Sequence, residues 1–342
     1  MLIDQRTLLE RLQAELTQAD AANAPLIVAV SGGADSLALL RGVCLLRGSL
    51  QLAPLAVHVN HQLRGQESDQ DANWVGDVCR QLDVPCEIAT ANVSEQAAAR
   101  GIGIEEAARD ARYDILQATA ERHGVNIIAL AHTADDQVET VLHHLLRGTG
   151  LAGLRGMTET RPLSDRVRLI RPLLSVWRDE IERFLRSLGQ DFRCDSSNND
   201  TSLTRNFLRH ELLPLIERRL NPQVRVYLLR LAHQAADWHE ALQFSAAQLL
   251  EAALLDESPT TVRLRCEPFV EQPRHLVREA FVVLWSRHEW PRQAMTFPHW
   301  DALAEMAQAG ETSSLNLPTN VMARRRGKLI EIDISRQSQR GG

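Results

Sequence analysis

The chain has 342 residues, 38 of them Lys or Arg and 44 Asp or Glu, for a formal net charge of −6. Only one cation is a lysine, Lys328, close to the end of the chain. This excludes a Walker-type loop and argues against a Schiff-base enzyme, since each needs a lysine in its site. The 44% apolar and 24% charged fractions fit a folded chain of about two domains.

No apolar run reaches the ~18 residues of a membrane span, so a cytoplasmic protein without membrane association is expected. Five scattered cysteines form no CxxC pair, which argues for reduced thiols and against metal or iron–sulfur ligation. Charge is uneven: residues 1–150 hold 11 basic and 20 acidic groups, whereas residues 151–342 hold 27 and 24. Such a division allows one face to attract a polyanion, although a preference for Arg over Lys throughout the genome explains the composition equally well.

In chain order, residues 25–30 read as a buried strand, 36–46 as a helix, 52–61 as a strand and 69–83 as a helix. A third strand at 85–91, a helix at 104–124 and a fourth strand at 125–132 continue the rhythm. This alternation predicts an α/β domain, a parallel sheet with helices on both faces, whose ligands bind at the carboxyl ends of the strands. A Gly-rich stretch at 147–157, a short amphipathic helix at 178–189 and a polar segment at 193–214 follow. A long helix within 223–255 leads to a smaller α+β or mainly helical C-terminal domain, with a strand pair toward its end. The expected organisation is a first domain at 1–216, a second at 217–335 and a disordered tail at 336–342.

Five segments carry chemistry. Ser31, Gly32, Gly33, Ala34, Asp35 and Ser36 join the first strand to a helix, so backbone N–H groups and hydroxyls converge where a phosphate can sit; the alternative is a plain glycine turn. Without a lysine, such a loop suits an enzyme that holds pyrophosphate as a leaving group. Asp35 beside polyphosphate would then call for Mg²⁺. His58, Asn60 and His61 end the second strand, where they can edge a nucleotide pocket or merely furnish a polar loop. Glu105, Arg109 and Arg112 share a helical face, and spacing alone favours a surface ion-pair ladder.

His132, Asp135, Asp136 and Glu139 are spaced for one helical face at a strand-to-helix junction. Their carboxylates can hold Mg²⁺ or grip the two ammonium groups of a free lysine, or one or two can simply stabilise the helix dipole. Between residues 195 and 209, Asp195 or Ser196 can cap a helix, and Arg205 and Arg209 can contact phosphate or the site.

SGGxDS is the signature of the PP-loop ATP pyrophosphatase family. Residues 58–75, 104–116, 131–157 and 194–216 resemble, in order, the successive blocks of the tRNA(Ile)-lysidine synthetases within it. The resemblance covers most of residues 25–216 and implies the adenine nucleotide α-hydrolase-like fold. It also implies ATP and Mg²⁺, with a tRNA(Ile) bearing a CAU anticodon and free L-lysine as partners.

It places ATP on Ser31–Ser36 with His58 and His132 beside the adenosine, Mg²⁺ at Asp35, and Arg109 and Arg112 at the phosphates and target base. Asp35, Arg109, Arg112 and Asp136 become the catalytic candidates. Asp136 and Glu139 would recognise lysine, and Arg205 and Asn206 would lie in a segment closing over the site. The implied reaction O-adenylates the wobble cytidine with release of pyrophosphate, then lets lysine expel AMP, giving lysidine and switching the codon read from AUG to AUA.

A tRNA thiolase shares SGGxDS but typically carries a CxxC pattern, and a non-catalytic nucleotide-binding module would not need the acidic cluster. Longer family members carry two C-terminal domains, and residues 217–335 leave room for one, so acceptor-stem recognition stays open. The run Arg324, Arg325, Arg326 and Lys328 could bind phosphate instead. The oligomeric state is also open, a homodimer being one option.

Overall fold

A computed structural model describes residues 3–63, 65–193, 204–309 and 312–334. It divides into two compact units, residues 1–233 and 234–342, with the division inside a long helix.

The first unit contains strands β1 (Pro25–Ala29), β2 (Ala53–Asn60), β3 (Cys86–Thr90), β4 (Ile127–Ala129), β5 (Thr160–Pro162) and β6 (Arg168–Ile170). Its helices are α1 (Ile3–Gln18), α2 (Ala34–Leu46), α3 (Gln66–Gln81), α4 (Val93–Arg100), α5 (Ile104–His123), α6 (Ala134–Leu146), α7 (Leu151–Leu154), α8 (Arg178–Ser187), α9 (Thr204–Phe207) and α10 (Leu213–Arg219). The long α11 (Val224–Ala253) follows. Strand order is β3-β2-β1-β4-β6-β5, parallel except for the edge strand β5.

Leu26 and Val28 of β1 face a core built with α1, α2, α3 and α8, whereas Ile27 faces Tyr113, Leu116 and Ala120 of α5 on the other side. Burial on both faces is why the parallel strands read as continuous apolar runs without polar alternation. The order reverses between β1 and β4, and the chain emerging from those two strands carries the glycine loop and His132. This is the switch-point crevice of an open α/β sheet.

Between α9 and α10 the helix widens into a π turn, Leu208–Leu212, with the Leu213 N–H donating to the Leu208 carbonyl. Pro214 supplies the cause, since it has no N–H and its ring crowds the carbonyl four residues back.

The second unit contains β7 (Leu254–Glu257), β8 (Thr261–Arg265), β9 (Ser313–Leu317), β10 (Val321–Arg326) and β11 (Leu329–Ile334), with α12 (Arg274–Arg287) and α13 (Phe297–Gln308). The antiparallel sheet runs β7-β8-β11-β10-β9, and one face packs on a core around Phe269, Phe281 and Trp285. The unit is thus α+β. Strand alternation divides the basic run: Arg326 and Lys328 are exposed, but Arg325 points inward and donates to the carbonyls of Met306 (2.6 Å) and Ala307 (3.0 Å). Arg325 therefore supports the core and is not available to phosphate.

Candidate active site

The loop after β1 closes on one oxygen. The N–H groups of Ser31 and Gly32 donate to the Ser36 hydroxyl at 3.1 and 3.2 Å, and that hydroxyl donates to the Gly33 carbonyl at 2.9 Å. Gly32 has φ +94°, open to glycine but strained for other residues, and a Cβ there would come within 3.2 Å of Val75. The converging N–H groups form a concavity suited to a phosphate oxygen.

Beside the loop lies a cavity of about 310 Å³, lined among others by Ser31, Asp35, His58, His61, Arg112 and His132. Its two anchored histidines differ. His58 donates from Nδ1 to the Val30 carbonyl at 2.8 Å, since a carbonyl can only accept, and burial lowers its pKa. His132 Nδ1 instead accepts from the Arg171 guanidinium at 3.2 Å. His61 is pushed down to about 4 by burial and by the charges of Arg112 and His58, and its Nδ1 has no hydrogen-bond partner. Asn60 does not serve the cavity with its amide: Nδ2 donates to Asp69 and Oδ1 accepts from the Gln62 N–H, tying β2 to the start of α3.

The acidic cluster is gathered by arginines. Thr133 caps α6, and Asp136 Oδ2 accepts from the Thr133 N–H (2.9 Å) and hydroxyl (3.0 Å). Asp136 Oδ1 is left to Arg178 at 2.8 Å and Arg209 at 3.2 Å. Glu139, only 1% exposed, accepts from Arg209 Nε at 2.6 Å and from Arg205 Nε at 3.0 Å. Arg178 also reaches Asp35 Oδ2 at 3.4 Å, so three carboxylates share three guanidiniums.

Burial lifts the Asp35 carboxyl to about 6, with the Asp136 charge adding to the rise and Arg178 opposing it. Burial works to raise Asp136 as well, yet Arg178, Arg205 and the Thr133 N–H hold it low. Asp135 is apart from this group: it accepts from the Arg178 backbone N–H and from Arg225, both at 3.0 Å.

A second group of arginines surrounds Tyr113. The guanidiniums of Arg109, Arg112 and Arg161 lie 5.1, 5.4 and 5.2 Å from the ring centre, within cation–π range. Burial would raise the phenol, but these charges together with Arg171 hold it below its ordinary value. The Nε atoms of Arg112 and Arg161 are buried without a hydrogen-bond partner.

A PP-loop domain model matches residues 6–216. The tRNA(Ile)-lysidine synthase of Rhodopirellula baltica is 34% identical over 336 residues, which covers 86% of this chain and 83% of that one. The chain belongs to the tRNA(Ile)-lysidine synthase family. The Deinococcus radiodurans synthase is 45% identical over 295 residues, covering 86% of this chain and 45% of its own length. The Geobacillus kaustophilus synthase is 37% identical over 264 residues, covering 77% and 56%. The chain thus spans about half the length of these two relatives. Among solved structures, the U34-tRNA thiolase NcsA from Methanococcus maripaludis aligns with TM-score 0.54 at 17% identity, covering 67% of this chain and 77% of that one, which shows the shared fold.

The residues that the family resemblance singles out divide as follows. Ser31, Asp35, Ser36, His58, His132 and Arg112 line one cavity, with Gly32, Gly33 and Ala34 completing its loop. Asp35, Asp136, Glu139 and Arg205 meet around Arg178, and Asn206 is buried on α9. Arg109 does not line the cavity and stacks on Tyr113. His132 precedes α6 and so is not on its face. Asp195 and Ser196 lie outside the described residues.

Arg161, Arg171 and Arg178 carry no motif of their own. The one signal for Arg178 is its position at the first turn of the amphipathic helix read at 178–189.

Proposed function

We propose that the chain ligates free L-lysine to C2 of the wobble cytidine in the CAU anticodon of tRNA(Ile). The C2 carbonyl oxygen attacks the α-phosphorus of ATP, the α–β phosphoanhydride bond breaks and pyrophosphate leaves. The lysine ε-ammonium loses a proton, the amine attacks C2 and the C2–O bond breaks, so AMP leaves, and loss of a second nitrogen proton gives lysidine. What carries the reading is a lysine-free phosphate loop next to the Asp35, Asp136 and Glu139 carboxylates in a member of this family.

In this reading departing phosphate oxygens displace the Ser36 hydroxyl from the N–H groups of Ser31 and Gly32 and free it to donate as well, and His58 and His132 border the nucleotide. Arg112 faces developing negative charge with a fork suited to phosphate. Asp136 and Glu139 receive the ammonium groups of lysine, which must compete with Arg178, Arg205 and Arg209 for those oxygens. Residues 217–335 contribute tRNA contacts.

Mg²⁺ fits this donor set. Asp35 is a hard oxygen donor at the phosphate loop, and Mg²⁺ is commonly held by one or two carboxylates plus substrate phosphates. Bound there, it would neutralise charge on the leaving pyrophosphate.

The test combines enzyme, ATP, tRNA(Ile) with a CAU anticodon and isotopically labelled lysine. Mass spectrometry should find one labelled lysine on the wobble cytidine with AMP released in equal amount, and lack of AMP in the complete mixture would refute the reading.

A further inference from the structure

We propose that Arg171 is a positioning residue that fixes His132 as the Nε2–H tautomer and so gives the nucleotide cavity a permanent hydrogen-bond donor. Arg171 follows β6 and is only 4% exposed. Its NH1 donates to the Thr158 carbonyl at 2.5 Å, its own N–H donates to the Glu159 carbonyl at 2.8 Å, and its Nε is directed at His132 Nδ1 at 3.2 Å. A guanidinium has no acceptor and does not deprotonate in proteins, so the imidazole nitrogen facing it must accept. The ring proton is then on Nε2.

The charged groups around His132 oppose a second ring proton. Burial lowers its pKa most; Asp136 from α6 raises it, and Arg171, Arg112 from α5 and Arg205 from α9 lower it again. The ring therefore stays neutral as a donor. Val30 imposes the reverse on His58, whose Nδ1 proton is taken by a carbonyl, leaving Nε2 as an acceptor. The same cavity therefore holds one histidine fixed as donor and one fixed as acceptor, and the two cannot exchange roles. The donor matches an oxygen of the adenylate, a phosphate oxygen or the oxygen bridging to C2. That last assignment rests on the function proposed above, whereas the tautomer does not.

The experiment is nitrogen-15 NMR of histidine-labelled full-length protein between pH 5.5 and 8, with the His132 signals assigned by His132→Gln, run beside AMP-formation profiles over the same range. In the unaltered protein His132 should show a bare Nδ1, a protonated Nε2 and no titration. An Nδ1–H form or a titration near pH 6–7 overturns the proposal.

In Arg171→Gln the fixed donor is lost and Asp136 acts with less opposition. His132 should then mix tautomers and take up a proton as pH falls, AMP formation should drop roughly 10–100-fold, and an acid limb should appear. Arg171→Lys keeps a donor and should recover part of the rate and remove most of the acid limb. An Arg171→Gln protein with the tautomer and pH profile unchanged overturns the proposal. Should that variant not fold, the unaltered spectrum and Arg171→Lys decide. A fixed Nε2–H tautomer in a protein that forms no AMP would refute the function and leave this inference standing.

Discussion

Two groups of arginines in the first unit are used in opposite ways. Arg178, Arg205 and Arg209 are bound to Asp35, Asp136 and Glu139, so their charge is spent inside the protein. Arg109, Arg112, Arg161 and Arg171 converge on one phenol and, among the described residues, form no ion pair with a carboxylate. A desolvated cation without a counter-charge is costly. Arg109 is exposed and Arg171 is held by the Thr158 carbonyl and His132, so this cost falls on Arg112 and Arg161, whose Nε atoms are buried without a partner. Removing a member should therefore destabilise the first set, whereas removing Arg112 or Arg161 should leave stability unchanged or improved.

The largest effect is expected at Glu139. Glu139→Gln leaves the Arg205 and Arg209 guanidiniums without their buried counter-charge, and urea unfolding should show a loss of about 3–5 kcal/mol. A loss below about 1 kcal/mol would mean that the ion pairs contribute little.

Asp35→Asn separates stability from activity. The folded carboxyl is held at about 6, above the ordinary carboxylate value of 3.8, so its contribution to stability is complete below about pH 4 and is lost as pH rises through about 6. The variant should therefore be as stable as the parent at pH 7, or up to about 2 kcal/mol more so, while AMP formation falls roughly 10²-fold or more. In the protein without Mg²⁺ or nucleotide, carbon-13 NMR of labelled aspartate should show Asp35 ionising as pH rises through about 6, and added Mg²⁺ should move that midpoint down. A midpoint near 4 without Mg²⁺ would mean that burial does not disfavour the charged form.

Arg161→Met tests the unpaired set. Melting should be unchanged or raised, while the slope of log affinity for tRNA against log salt shrinks by about one if the guanidinium meets a phosphate. The smallest effect is expected from Tyr113→Phe, which keeps the ring under the guanidiniums and removes a hydroxyl with no well-directed partner. Calorimetry should find a change within about 0.5 kcal/mol, against about 1–2 kcal/mol for Tyr113→Leu, which loses the cation–π contacts.

What was legible in the sequence was whatever is decided locally. The glycine loop and the strands before it and after it follow from a few adjacent residues, and the structure places them there; the Thr133 cap that starts α6 has a local signature as well. The acidic cluster was visible because its carboxylates crowd one helix turn, but its partners were not. Arg178 and Arg171 come from separate elements, and nothing in their immediate neighbours shows that the fold brings them to Asp136 and His132. Asp135 shows a related effect: its neighbours suit a site, yet it is satisfied by the Arg178 backbone N–H and Arg225, contacts that only geometry reveals. The basic run of β10 was read as one patch because a linear count ignores that alternate residues of a strand face opposite ways.

The π turn at Leu208–Leu212 makes the spacing of this site sensitive to length rather than composition. Arg205 precedes the widened turn and Arg209 lies within it, and both reach Glu139. Deleting one residue between Arg205 and Arg209 would shorten their separation from four residues to three and turn Arg209 by about 100° around the helix axis relative to Arg205. Replacements that keep the count of residues between the two arginines keep both on Glu139, whereas a change in that count does not. A proline unable to donate a hydrogen bond thus helps set the register in which charge meets charge.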